Sequence, residues 1–144
     1  MILDAELEFS NAQAITAAAA STNYVDLGAV RDIGTGEDLY VVVSVQTALT
    51  DGGSNTGTDV ILYGDSTTTF TPDGSQTLFT FAQAAAAGVT KYAKLDPGSA
   101  PLQYRYVELY YSPTGANLTA GKFDAYLTKD ISKWLAYADN ITIS

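Results

Sequence analysis

Apolar and polar residues alternate with a period of two along most of the chain, which is the signature of strands buried on one side. In "LDAELEF" the acids Asp4, Glu6 and Glu8 share one face, and Leu3, Ala5, Leu7 and Phe9 share the other. "LYVVVSVQT" sets Leu39, Val41, Val43 and Val45 against Tyr40, Val42, Ser44 and Gln46. "YRYVELYY" sets Tyr104, Tyr106, Glu108 and Tyr110 against Arg105, Val107, Leu109 and Tyr111, the second row being the core side. Arg105 stands at the start of that row, where its head group reaches water. In "GKFDAYLTK" the core row is Phe123, Ala125 and Leu127, and Lys122, Asp124, Tyr126 and Thr128 face away. "YVDLG", "DVILYG", "TLFTFAQ", "TKYAKL" and "NITIS" bring the total to eight or nine short strands.

The clusters between them, "GTGED", "DGGSNTGTD", "TPDGS", "DPGSAP" and "SPTGAN", are rich in Gly, Asn, Asp and Pro. Those residues supply the backbone angles that tight reversals need. The spacing predicts one all-β domain over residues 1–144, a jelly-roll-like antiparallel β-sandwich with extended N- and C-terminal segments. Two stretches fit that pattern less well. "AQAITAAAAST" has high helix propensity without an apolar stripe, and is equally suited to an extended arm. "DISKWLAYAD" is either one short helix capped by Asp130 or an extended tail.

Composition narrows the function more than the fold. The 144 residues are 47% hydrophobic and only 16% charged, against about 25% charged in an ordinary globular protein. Such a chain has little solvating surface, which suits a protein partly covered by others. Cysteine and histidine are both absent. Disulfides, thiolate metal sites and the commonest general base are therefore excluded, and the expectation is a non-enzymatic protein with no cofactor and no metal. The net charge is −9, and Arg31 is the only cation before Lys91. Without clustered Lys and Arg, nucleic acid is not an expected partner. No window approaches the ~20 apolar residues of a membrane span, so no membrane association is expected. The opening "MILDAELEF" has neither the basic nor the long apolar region of a leader, and the expectation is synthesis in the cytoplasm.

Candidate chemistry is sparse. The loop "DGGSNTGTD" offers oxygen ligands but lacks the Gly and closing Glu of a calcium loop, and reads as a solvated hairpin loop. Acids beside aromatics, such as Glu108 between Tyr106 and Tyr110, raise a sugar platform or a carboxylate hydrolase as alternatives. Lys129 and Asp130 are adjacent and so point to opposite faces of a strand, which separates them as a catalytic pair. The tyrosines are the most informative residues, because Tyr buries ring area at interfaces while its hydroxyl stays satisfied. Tyr104, Tyr106, Tyr110, Trp134 and Tyr137 are the expected protein-contact residues, with burial between layers of the same domain as the competing reading.

Three segments, "MILDAELEFSNAQAIT", "STNYVDLGAVRDIGTGEDLYVVVSV" and "LTAGKFDAYLTKDISKWLAYADNITIS", resemble the capsid cement proteins of tailed phages of the Bordetella podovirus type. The resemblance covers about half of the chain and rests on extended similarity, since no catalytic motif defines that family. It implies a jelly-roll decoration protein on the outer surface of a capsid, stabilising the shell by bridging major capsid protein subunits. It also implies a homo-oligomer, with a dimer favoured. A carbohydrate-binding β-sandwich or adhesin on the virion surface is the alternative. The low charge, the acidic bias and the strand-like termini, which suit edge pairing with another chain, agree with the cement reading.

Overall fold

A computed structural model describes residues 7–27, 39–69, 71, 73–96 and 98–128. Among these residues nine strands follow in order: β1 (Glu8–Ala14), β2 (Ala19–Ala20), β3 (Val25–Asp26), β4 (Tyr40–Asp51), β5 (Gly57–Asp65), β6 (Gly74–Phe81), β7 (Thr90–Lys94), β8 (Tyr106–Thr114) and β9 (Leu118–Thr128). A 3-10 helix, Ala100–Gln103, precedes β8. The strands form two antiparallel sheets, one of order β1-β9-β4-β7 and one of order β2-β8-β5-β6, with β3 also paired to β8. If β2 and β3 are taken as one interrupted strand, eight strands alternate between the sheets in jelly-roll order. Only β5 and β6 are consecutive partners within a sheet; every other connection between the long strands crosses from one sheet to the other.

The core is where the two inner faces meet. The four-stranded sheet contributes Phe9, Val41, Val43, Val45, Phe123, Ala125 and Leu127; the five-stranded sheet contributes Val60, Leu62, Phe81, Val107, Leu109 and Tyr111. The alternation in the sequence assigned these rows of β8 and β9 to the core, and they lie there; in β4 it left the side open, and the Val41, Val43 and Val45 row is the inner one. Tyr111 is fully buried; its ring stacks on Phe123 at 5.0 Å, and its hydroxyl hydrogen-bonds Ser10 Oγ at 2.7 Å. Ser10 Oγ in turn donates to Gln13 Oε1 at 2.6 Å, so the buried polar pair is satisfied. Burial pushes the Tyr111 hydroxyl well above the ordinary tyrosine value.

Val42 departs from simple alternation. It faces away from the core cluster, yet it is fully buried. Its cross-strand partners are Tyr92 and Tyr126, so the unbroken "VVV" run is apolar on both sides. Two glycines fix the top of the other sheet. Gly64 and Gly74 lie opposite each other on β5 and β6, and the 3-10 helix packs against both. A Cβ on Gly64 would lie 2.7 Å from Pro101 Cα, and one on Gly74 would lie 2.8 Å from the Ala100 carbonyl carbon. The missing side chains admit the helix, which buries Pro101 and Leu102.

Two sequence expectations change, and one open alternative is decided. "DGGSNTGTD" is not a hairpin loop: β4 and β5 belong to different sheets, and the segment bridges them. Its register is held by Asp51, whose carboxylate accepts the backbone N–H groups of Gly53 (2.9 Å) and Asn55 (2.7 Å). "AQAITAAAAST" is extended rather than helical, ending β1, burying Ile15 and supplying β2. Tyr104 precedes β8 and caps the 3-10 helix, with its hydroxyl donating to the Asp73 carbonyl at 3.4 Å. It stands outside β8, so strand register does not assign it to the Tyr106–Tyr110 row. Lys129, Asp130 and the segments "DISKWLAYAD" and "NITIS" lie outside the described residues.

Candidate interaction surface

The outer face of the five-stranded sheet is built by strand register. Asp26, Tyr106 and Asp65 form one cross-strand row; Glu108, Tyr63 and Ser75 form the next; Ala20, Tyr110, Ile61 and Thr77 form the third. Tyr63 and Tyr110 are diagonal neighbours across β5 and β8, and their rings stack at 5.0 Å with 24° between planes. Tyr24, just before β3, meets Tyr106 edge-on at 5.6 Å and is 44% exposed. Tyr63, Tyr106 and Tyr110 are each half-buried.

Charge on this face is arranged in two contrasting ways. In the first row Arg105 Nε and Nη2 donate to the two Asp26 carboxylate oxygens at 2.9 and 3.0 Å, and the guanidinium lies 5.0 Å from the centre of the Tyr106 ring. That is a bidentate ion pair on an aromatic face. In the second row Glu108 is only 8% exposed, and its carboxyl accepts no hydrogen bond among the described residues. Burial, with a smaller contribution from Asp65, pushes Glu108 up to about 7. Asp65 goes the other way. The backbone N–H of Thr67 (2.8 Å) is the main cause that holds it below the ordinary carboxylate value, aided by the N–H of Thr71 (2.8 Å) and the Thr67 hydroxyl (3.1 Å). Two carboxyls on one face are therefore set apart, one fully partnered and one not. The Tyr63 hydroxyl is raised by burial first, and then by Tyr110 and Glu108.

Of the five expected contact residues, Tyr106 and Tyr110 share this outward face, and Tyr104 sits beyond its edge on the turn. Trp134 and Tyr137 lie outside the described residues. Sequence reasoning missed Tyr63, Tyr24 and Asp65. The alternation in "DVILYG" carries the signal for Tyr63, but only register places it beside Tyr110. The sequence also set Glu108 in the outward row without showing that it is enclosed. The opposite outer face has a second aromatic group: Tyr40 meets Tyr92 at 6.2 Å, Tyr92 is 47% exposed, and burial pushes the neighbouring Tyr126 up to about 12.

No group of three or more His, Cys, Asp or Glu side chains among the described residues is placed to hold a metal ion. No helix among them is long and apolar enough to cross a membrane. A comparison with curated proteins gives no match. The family model of Bbp16, a family named for a Bordetella phage protein, matches residues 9–127, from β1 to the end of β9. That span is well over half of the chain and takes in both sheets, so the chain belongs to the Bbp16 family and is a phage-associated protein.

Proposed function

We propose that this chain is a structural virion protein that decorates the outer surface of a tailed-phage capsid and holds the shell together by bridging major capsid protein subunits. The observation that carries the reading is the outward tyrosine face of the five-stranded sheet, on a jelly roll of a phage-associated family. Half-buried tyrosines supply ring area for contact while their hydroxyls stay solvated or bonded. An interface of about 1,200–2,000 Å² per copy suffices, because many copies on one shell act multivalently. Separating two capsid subunits then also requires breaking the contacts of the chain that spans them. The chain acts as a homo-oligomer, with a dimer favoured, and does so without catalysis, cofactor or nucleic acid. Tyr106 and Tyr110 are the leading contact residues, with Tyr104, Trp134 and Tyr137 as further ones.

The test is occupancy on shells prepared without this chain, read by cryo-electron microscopy and by co-sedimentation. Wild-type chain is expected to bind the outer surface at subunit junctions, and the Tyr106→Ala/Tyr110→Ala variant to bind far less while remaining folded. Equal occupancy of the two chains would remove the tyrosine face from the reading, and no uptake of wild type would end the capsid reading itself. Selective binding on a glycan array would favour the carbohydrate alternative, for which tyrosines around a carboxyl are also suited.

A further inference from the structure

Glu108 has features that packing alone does not explain. Its side chain is largely enclosed, and its carboxyl oxygens keep some access to water but have no hydrogen-bond partner among the described residues; ionising a carboxyl so placed is costly. Glu108 is flanked on its own strand by Tyr106 and Tyr110 and faces Tyr63 across the ladder. The adjacent row of the same face shows what this combination accepts. There, a carboxylate (Asp26) and a tyrosine ring (Tyr106) hold a guanidinium between them, supplied by Arg105 from within the chain. The Glu108 row repeats the carboxylate and the rings but has no cation among the described residues. We propose that Glu108, with Tyr63 and Tyr110, is the seat for one basic side chain, lysine or arginine, projected from the protein surface onto which this face docks.

Charge complementarity singles out a cation. Ionised Asp65 stands beside the seat and adds to its negative potential. The chain as a whole is at −9. The cations of the described residues are engaged elsewhere: Arg105 with Asp26, and Lys91 with the Thr80 carbonyl and the Phe81 ring. Lys94 and Lys122 belong to the other sheet. The groups facing Glu108 are Tyr106 and Tyr110 from β8, Tyr63 and Asp65 from β5, and Tyr24 and the Arg105-paired Asp26 from the β3 side; β6 offers only neutral Ser75 and Thr77. A metal ion is a poor occupant, because hard cations prefer six or more oxygen ligands and Glu108 is the one carboxyl here without hydrogen-bond partners, Asp65 being held by Thr67 and Thr71. Before docking, the carboxyl holds a proton up to about pH 7; a seated ammonium or guanidinium replaces that proton, so docking is favoured above pH 7 and weakened below it.

This inference rests on the capsid reading for its partner, and its test separates the two. Full-length chain labelled at the glutamate carboxyl carbon is titrated by NMR with n-butylammonium and with methylguanidinium chloride at constant ionic strength, using sodium chloride as control. The expected result is a saturable shift of Glu108 and of the Tyr63 and Tyr110 rings at pH 8. The Glu108 midpoint should fall by about one pH unit at saturation, and the response should be lost in Glu108→Gln. On shells at pH 8, Glu108→Gln should bind about tenfold more weakly than wild type, as for loss of one charge-assisted contact, and the two should converge at pH 5.5. No saturable shift, or the same shift in Glu108→Gln, overturns the proposal. So does a Glu108 midpoint near the ordinary glutamate value in the unliganded chain. If wild type fails to bind shells while the probes bind, the capsid reading falls and the seat stands. If both chains bind shells equally at pH 8, the seat falls and the capsid reading stands.

Discussion

Replacing Glu108 by glutamine should make the protein more stable, with a gain that is absent below about pH 4.5 and complete above about pH 7. The side chain keeps its shape and its place between Tyr106 and Tyr110, while the charge that burial disfavours is removed. Folding raises the carboxyl from 4.5 to about 7, so the folded chain binds the proton more tightly than the unfolded one. Below about pH 4.5 both states are protonated and Glu108 has no pH-linked effect. As pH rises towards 7 the unfolded state ionises first, and the native state loses stability relative to it; above 7 the loss is constant. At full weight such a displacement corresponds to roughly 3 kcal/mol. The carboxyl oxygens retain some access to water, and screening reduces this to about 1–2 kcal/mol. For a chain of this size each kcal/mol moves the melting temperature by about 2–4 °C, which gives an expected gain of roughly 3–6 °C for Glu108→Gln at pH 8. Differential scanning calorimetry of both proteins at pH 8 and pH 4.5, in low salt, reads the effect. Equal melting temperatures at pH 8, a loss there, or the same gain at both pH values would refute the argument that an unpartnered, enclosed carboxyl destabilises the fold.

The other predictions concern the frame that holds this face. Gly64→Ala forces a methyl group into the backbone of Pro101 and should cost about 1–3 kcal/mol by overpacking, seen as a lower urea midpoint. Tyr111→Phe removes the hydroxyl from Ser10, which keeps Gln13 as a partner; the expected cost is about 1 kcal/mol by the same assay, with the stack on Phe123 unchanged in a crystal structure. Phe123→Ala opens the centre of the core between Tyr111 and Phe81 and should cost about 3–5 kcal/mol or abolish folding. By contrast, Arg105→Gln breaks a pair whose side chains are 45% and 41% exposed and should lower stability by less than about 1 kcal/mol, with the difference vanishing in 1 M salt.

Much of the architecture is legible in the chain because its cause is local. Period-two alternation determines which side of a strand faces inward, and Phe123, Ala125, Val107, Leu109 and Tyr111 all lie where that rule puts them. Gly, Pro, Asn and Asp clusters mark the reversals by their backbone preferences, so the sandwich class follows. Alternation is silent about partners, however. It cannot say that β4 and β5 separate into different sheets, which turned an expected hairpin into a bridge between layers. Nor can it show that Tyr104 caps a 3-10 helix ahead of β8, or that Val42 is buried on the side away from the core. Glu108 is the clearest case. In the sequence it is one acid among outward tyrosines; in the fold, β5 brings Tyr63 and Asp65 to it from more than forty residues away. Which way a strand faces is a property of neighbouring residues, whereas burial and a shifted proton equilibrium depend on what other strands place alongside. The sequence by itself therefore determined the strands and their inner faces, and only the tertiary structure decided how they pair into sheets and what surrounds this carboxyl.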